Sequence, residues 1–534
     1  MTHSDPTLGA AVDDPAGAAA ENLRLTRAAG SVALATLASR LLGFVRDAVI
    51  AWGFGAGFGS DAFLAAFRVP NLFRRLLGEG SLSSAFVPVL TETLSKGGRR
   101  AAQEVAATAA RILAIGLAAA CLAGVLAAPG IVLLVAPGFD GSKFELTVGL
   151  TRLMLPYLVA AGMAALWMGT LNVFGSFAAP AIAPALLNIA MIAGMIGLAP
   201  LMSRPETALA VAVLVGGAAQ LGFLSVCVAR HGVRIRRATR EAAPVLKRAA
   251  RLLLPIGLGS AVYQINVLAG GLLASFLPEG SLSCLYFAER LVEFPLGLIA
   301  MAGATAVLPS LAREAALGGQ KSLAATVGYA LRLVSFFTLP ATAGLLLLAE
   351  PLVALLFQRG EFGPESVRLT SQAVSYYALG LWGVSTARIT ATLFFAMQDA
   401  RAPLRAALAS IAANLVFGLV LMRPMAAGGL ALAAALAAMV NLGLLLMTVR
   451  RKLRQLDWRL LGLSLARSLG CTLFMAAGVW QMSQLAWVLR LHEAAGLALT
   501  IGAGVLIYAA AARVVKSPEL ADVCRLLKGN RFER

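Results

Sequence analysis

Residues 103–128 read QEVAATAARILAIGLAAACLAGVLAA, and no charge follows Arg111 until Asp140. About 20 apolar residues in a helix cross the hydrocarbon core of a bilayer, and this run is long enough. No water is available there, so the segment must satisfy its own backbone groups, which dictates helix. Just upstream stand Lys96, Arg99 and Arg100, the basic flank expected of a cytoplasmic loop.

Comparable runs extend outward from this one to both ends of the chain. They cover about 31–54, 61–93, 103–128, 146–168, 180–201, 207–229, 252–276, 282–311, 323–349, 367–396, 403–422, 427–448, 460–486 and 493–513, which makes about fourteen predicted spans. The composition agrees: 59% of the 534 residues are hydrophobic and 13% charged, against about 25% charged in soluble domains. The net charge of +19 does not indicate a nucleic-acid partner. Its cations form short clusters between apolar runs, without interleaved aromatics. The clusters fall on every second loop: Lys96–Arg100, Arg230–Arg251, Arg313 with Lys321, Arg401 with Arg405, Arg450–Arg454, and the tail Lys516, Lys528, Arg531 and Arg534. The alternate loops are poorer or mixed in charge, as with Asp140, Lys143 and Glu145. This alternation predicts both termini in the cytoplasm.

An internal repeat appears at a shift of roughly 220 residues, a spacing of six spans. AFVPVL (85–90) matches AVLPSL (306–311), Leu150-Thr151 with Tyr157 matches Leu369-Thr370 with Tyr376, and Asn188 matches Asn414. An even number of spans preserves orientation, so the halves are parallel repeats. The expected fold is an all-α polytopic membrane protein: two parallel six-helix repeats forming two lobes, plus two extra C-terminal helices. The expected organisation is a disordered cytoplasmic tail over 1–28, an N-lobe over 29–230 and a basic loop over 231–251. A C-lobe over 252–450, the last two spans over 451–516 and a basic cytoplasmic tail over 517–534 complete it.

Catalytic signatures are missing. There is no HExxH, GxSxG or Walker loop with its lysine, and Cys121, Cys227, Cys284, Cys471 and Cys524 form no CxxC. No enzyme activity, cofactor or metal site is expected.

The informative residues are charges placed where lipid should be. Arg40, Arg46 and Asp47 sit inside the first span, and Asp61, Arg68, Arg74, Arg75 and Glu79 in the second. Glu289, Arg290 and Glu293 lie in the eighth. Asp61, Arg68 and Arg75 are spaced by sevens and share a helix face. A charge at the bilayer centre costs about 2.5–3.5 kcal/mol on insertion scales, so such a set faces water or ion partners. Snorkelling to the interface suits Arg75, but Arg40 and Arg46 have apolar sequence on both sides. In the first two spans arginines outnumber carboxylates, and the surplus calls for an anion. Arginine stays ionised and grips phosphate with two donors.

At these residues the sequence resembles the MurJ (MviN) family of lipid II flippases, in the multidrug/oligosaccharidyl-lipid/polysaccharide exporter superfamily. The resemblance rests on SRLLGFVRDAVIA (39–51), SDAFLAAFRVPNLFRRLLGEG (60–80), AFVPVL (85–90), APGF (136–139), FAAPAIAPALLNIAMI (177–192), YFAERLVEFPLG (286–297), LPSLA (308–312) and LFQRGEF (356–362). It implies fourteen helices, a cationic central cavity worked by alternating access, and a groove at the last two helices for a polyprenyl tail. The family's cavity residues fall on Arg40, Arg46, Asp61, Arg74 and Arg290, with Asn71, Glu79 and Glu293 at further motif positions. A sodium site known in some members is not carried over, because Gln264, Asn266 and Asn414 offer no acid. The implied cargo is lipid II, an undecaprenyl-pyrophosphate-linked disaccharide peptide, moved across the bacterial inner membrane. Implied partners are membrane lipids and other cell-wall synthesis or division proteins. The main alternative is an exporter of another polyprenyl-pyrophosphate-linked oligosaccharide.

Overall fold

The computed structural model describes residues 15–76, 82–234, 239–316, 319–488 and 492–527. No strand occurs among them. Sixteen α-helices follow one another: α1 (Pro15–Phe54), α2 (Phe58–Leu76), α3 (Leu82–Leu126), α4 (Ala128–Val135), α5 (Gly141–Met154), α6 (Tyr157–Val173), α7 (Ala178–Ala193) and α8 (Pro205–Arg230). Then come α9 (Ala243–Ala274), α10 (Ser281–Ala316), α11 (Gln320–Phe357), α12 (Pro364–Ala396), α13 (Arg401–Lys452), α14 (Trp458–Val488), α15 (Glu493–Val514) and α16 (Pro518–Leu527).

Eight described helices are long and apolar enough to cross a membrane, nine if the bent pair α5–α6 counts as one span. Two of the eight are interrupted where the sequence reading ends one span and begins the next. Gly98 breaks α3 at φ 73°, and Ala426 breaks α13 at φ 46°, two residues after Pro424. The fourth predicted span is instead the pair α5–α6, bent by 40°. Pro156, the N-cap of α6, cannot donate the hydrogen bond that would continue the helix. Residues 15–28, expected to be disordered, are helical from Pro15: the Ala-rich PAGAAAENLRLTRA has strong helix propensity and starts with proline, which suits a first turn.

Large apolar side chains point outward along the spans. Leu122 and Leu126 of α3 are 64% and 73% exposed, and Val505 and Leu506 of α15 64% and 71%. These are the faces lipid would cover.

The chain forms two compact units. The first comprises residues up to Arg46, Pro70–Val125 and Leu153–Gly257. Its core is Phe86, Leu90, Val105, Trp167, Leu171 and Leu224. The second comprises Asp47–Val69, Leu126–Arg152 and everything from Leu258 onward. Within it, α14 and α15 pack on α11 through Phe336, Leu348, Met475, Val479 and Tyr508, and the Tyr508 hydroxyl donates to the Phe336 carbonyl at 2.7 Å. The second unit also grips the turn joining α1 to α2. The Glu361 N–H donates to the Trp52 carbonyl at 2.9 Å. Gly280 (φ +85°) and Gly360 (φ +57°) lie in left-handed backbone, where a Cβ would strike the carbonyls of Ala56 and Trp52.

The repeated tyrosines behave alike. Tyr157 of the first unit lies against Gly217, where an added Cβ would come within 2.5 Å of its ring. Tyr376 of the second lies against Gly428, with 2.9 Å for the same contact.

Candidate functional site

In the first unit the long helix α1 carries Arg40, which is exposed, and Arg46, which is half-buried. Nη1 of Arg46 donates to Oδ1 of Asn188 at 3.0 Å, and Nδ2 of Asn188 donates to the Ser39 carbonyl at 3.2 Å. Asn188 therefore links α7 to two successive turns of α1. On α2, Nε of Arg74 donates to Oδ1 of Asn71 at 2.9 Å. Nε of the neighbouring Arg75 is buried without a hydrogen-bond partner. These asparagine oxygens accept from the guanidinium groups and fix their direction.

The second unit treats its charges differently. Arg290 of α10 donates from Nη1 to Glu293 at 2.6 Å, and its Nε lies 3.6 Å from Asp47. Its guanidinium sits 4.9 Å from the centre of the Tyr286 ring. The Tyr286 hydroxyl donates to Asp47 at 2.9 Å. Asp47, Tyr286, Arg290 and Glu293 thus form one ion-paired cluster. Removing a partner from such a cluster exposes the full cost of a desolvated charge.

A second network centres on Asp61, only 2% exposed. Lys143 donates to Oδ2 at 2.9 Å and the Gly280 N–H to the same oxygen at 2.8 Å. Oδ1 accepts from the Ser283 N–H at 2.9 Å and from the Ser283 hydroxyl at 2.6 Å. Asp61, placed on the first turn of α2, thereby caps the N-terminus of α10 from another helix. Lys143 is held further by the Phe139 and Phe58 rings, whose centres lie 4.4 and 5.8 Å from Nζ. A cleft of about 410 Å³ beside it is bordered by Asp140 and Glu279, an acidic rim ill-suited to an anion.

Arg68 also belongs to the second unit. Its Nη1 is buried without a hydrogen-bond partner, lying where a Cβ on Gly271 would be. Glu289, Tyr377, Asp61 and Tyr286 are its electrostatic neighbours.

Of the residues singled out from the sequence, the structure brings Arg46 to Asn188, Asn71 to Arg74, and Arg290 to Glu293. Asp61 is engaged elsewhere, in the cap of α10. Glu79 lies outside the described residues. Sequence reasoning did not assign a site role to Asn188, Lys143, Tyr286 or Ser283. Asn188 stood out only as a repeat marker, and Tyr286 lies inside the YFAER motif.

A family profile described as "Lipid II flippase MurJ" matches residues 50–492. The chain belongs to this family. A probable lipid II flippase MurJ of Vibrio cholerae is 34% identical over 504 residues, which is 91% of this chain and 95% of its own length. The lipid II flippase MurJ of Burkholderia cenocepacia is 35% identical over 80% of this chain and 84% of its own. Among solved structures, a lipid II flippase MurJ in an inward closed conformation superposes with a TM-score of 0.76 at 23% identity, over 91% of this chain and 98% of its own. The MurJ family match contains Asp61, Asn71, Arg74, Arg290 and Glu293. Arg40 and Arg46 precede it and fall on the SRLLGFVRD motif.

Proposed function

We propose that this chain translocates lipid II from the inner to the outer leaflet of a bacterial cytoplasmic membrane, with both termini on the cytoplasmic side. One observation carries the reading. Arg46 and Arg74 of the first unit are held in direction by Asn188 and Asn71, which sets two guanidinium groups in place for an anionic head group. A pyrophosphate offers several oxygens to planar, two-donor guanidinium groups, which no neutral sugar does. Arg40, exposed on the same helix as Arg46, adds a third cation. The transport step is alternating access, in which these arginines face one side of the membrane and then the other. A negative interior favours outward movement of an anion by about 2.3 kcal/mol per charge per 100 mV. The exposed apolar faces of α14 and α15 are the place for the polyprenyl tail, which stays in lipid.

The test combines cells and vesicles. The chain should sustain growth of a strain depleted of its lipid II flippase. The Arg40→Ala and Arg46→Ala variants should accumulate in the membrane without doing so. Purified protein in proteoliposomes should expose labelled lipid II on the opposite leaflet, faster under an imposed potential. Normal growth on Arg46→Ala overturns the role of the arginines. Failure of the unaltered chain to complement, together with transport of a different polyprenyl-pyrophosphate oligosaccharide, establishes the alternative cargo.

A further inference from the structure

α11 carries Pro340 in its interior. A proline there has no N–H to give the carbonyl four residues before it, and its ring presses on that same carbonyl. The carbonyl is that of Phe336, which accepts the Tyr508 hydroxyl of α15 at 2.7 Å. The donor that α11 lacks therefore arrives from another helix. Tyr508 is 7% exposed, and its ring lies 5.1 Å from that of Phe336. A tyrosine buried only for packing still needs a partner for its hydroxyl, and Ser468 and Thr472 of α14 flank it. Its proton goes instead to the carbonyl that Pro340 leaves short. One turn earlier on the same face of α11, Nε of Arg332 lies 3.9 Å from Glu519 of α16, which also accepts from Ser464 of α14. The C-terminal helices thus hold α11 at two successive turns, just before the residue at which a helix bends most readily. On the outer side, Val505 and Leu506 lie within one turn of Tyr508 and are 64% and 71% exposed.

We propose that Tyr508 is a positioning residue for transport: it supplies the donor that Pro340 withholds, and through it a polyprenyl tail lying on α15 sets the bend of α11. The inference rests on the function proposed above and adds a route by which the tail acts on a helix of the second unit.

The test follows headgroup translocation in proteoliposomes, with lipid II carrying its undecaprenyl tail and with an analogue carrying a farnesyl tail, alongside melting temperature in detergent. The variants are Tyr508→Phe, Pro340→Ala and the double variant. All should fold, since phenylalanine keeps the ring and alanine favours a helix. Tyr508→Phe leaves the Phe336 carbonyl without its donor and should lower the melting temperature. It should slow long-tailed lipid II by about tenfold and leave the farnesyl analogue within about twofold, so that the preference for the long tail disappears. Pro340→Ala returns an N–H to the carbonyl. Alone, it should slow long-tailed lipid II as much without lowering the melting temperature. Added to Tyr508→Phe, it should recover the melting temperature while long-tailed transport stays about tenfold slow, because α11 has lost its bend. A merely structural tyrosine predicts that the double variant transports normally and that Tyr508→Phe slows both lipids alike. Either result overturns the inference alone, as does normal transport by Pro340→Ala or an unaltered protein that moves the two lipids at equal rates. If the unaltered protein translocates neither lipid, the proposed function fails and the inference with it.

Discussion

Replacing Asp61 with alanine should cost more stability than any other single carboxylate change near α2. The carboxylate is 2% exposed and receives four donors: Lys143, the Gly280 and Ser283 N–H groups, and the Ser283 hydroxyl. Its removal leaves the Lys143 ammonium, whose side chain is 14% exposed, without its counter-charge. Breaking a buried pair from one side costs about 3–5 kcal/mol. The lost cap on α10 is worth about 1 kcal/mol more by itself, but the donors share one acceptor and the terms do not add. The Phe139 and Phe58 rings retain part of the cation's stabilisation, about 0.5–2 kcal/mol, so a total near 3–4 kcal/mol follows. Reversible unfolding in mixed micelles would measure it, with Lys143→Met and the double variant completing a cycle. Coupling of about 1–3 kcal/mol is expected. A loss below about 1 kcal/mol for Asp61→Ala, or additivity within about 0.5 kcal/mol, would refute the view that this carboxylate joins α2, α5 and α10.

Gly360→Ala should destabilise by about 1–3 kcal/mol, because residue 360 has φ +57° and its new Cβ would strike the Trp52 carbonyl; an unchanged melting temperature in detergent would contradict the grip on the α1–α2 turn. Glu519, on α16 and 2% exposed, contends with burial that raises its pKa, yet hydrogen bonds from Ser464 and Ser517 at 2.6 and 2.7 Å, with Arg332 nearby, hold it below the usual glutamate range. A depressed carboxylate stabilises the folded state above its unfolded pKa, about 4.3. That contribution disappears as pH falls through the lower folded value. Docking of α16, read by hydrogen exchange of its backbone amides, should therefore loosen only below about pH 4, and Glu519→Gln should remove the pH dependence.

Much of this molecule is legible in its sequence because lipid imposes simple rules. Long uncharged runs such as 112–126 must be helix, and α3 obliges. Breaks near Gly98 and Pro424 carry local signals, a glycine pair between basic residues and a proline. Pro156 was equally visible, but a bend and a continuous span share the same hydropathy, so composition alone did not separate α5 from α6. The arginines of α1 and α2 announced themselves by their cost at depth. Their partners did not. Asn188 lies 142 residues from Arg46 and Ser283 lies 222 from Asp61, and nothing local in an asparagine or a serine says which distant charge it will meet. The spacing by sevens put Asp61, Arg68 and Arg75 on one face, but only packing against α10 shows that Asp61 is taken up by a helix cap.

The ring-on-glycine seats of Tyr157 with Gly217 and Tyr376 with Gly428 bear on how such a chain can change over time. Most lipid-facing positions on such spans are free to vary, provided they stay oily. These two sockets are not, since even a methyl group would jam the ring. Each fixes one tyrosine ring against a neighbouring helix, and a side chain larger than glycine at 217 or 428 would push the two helices apart.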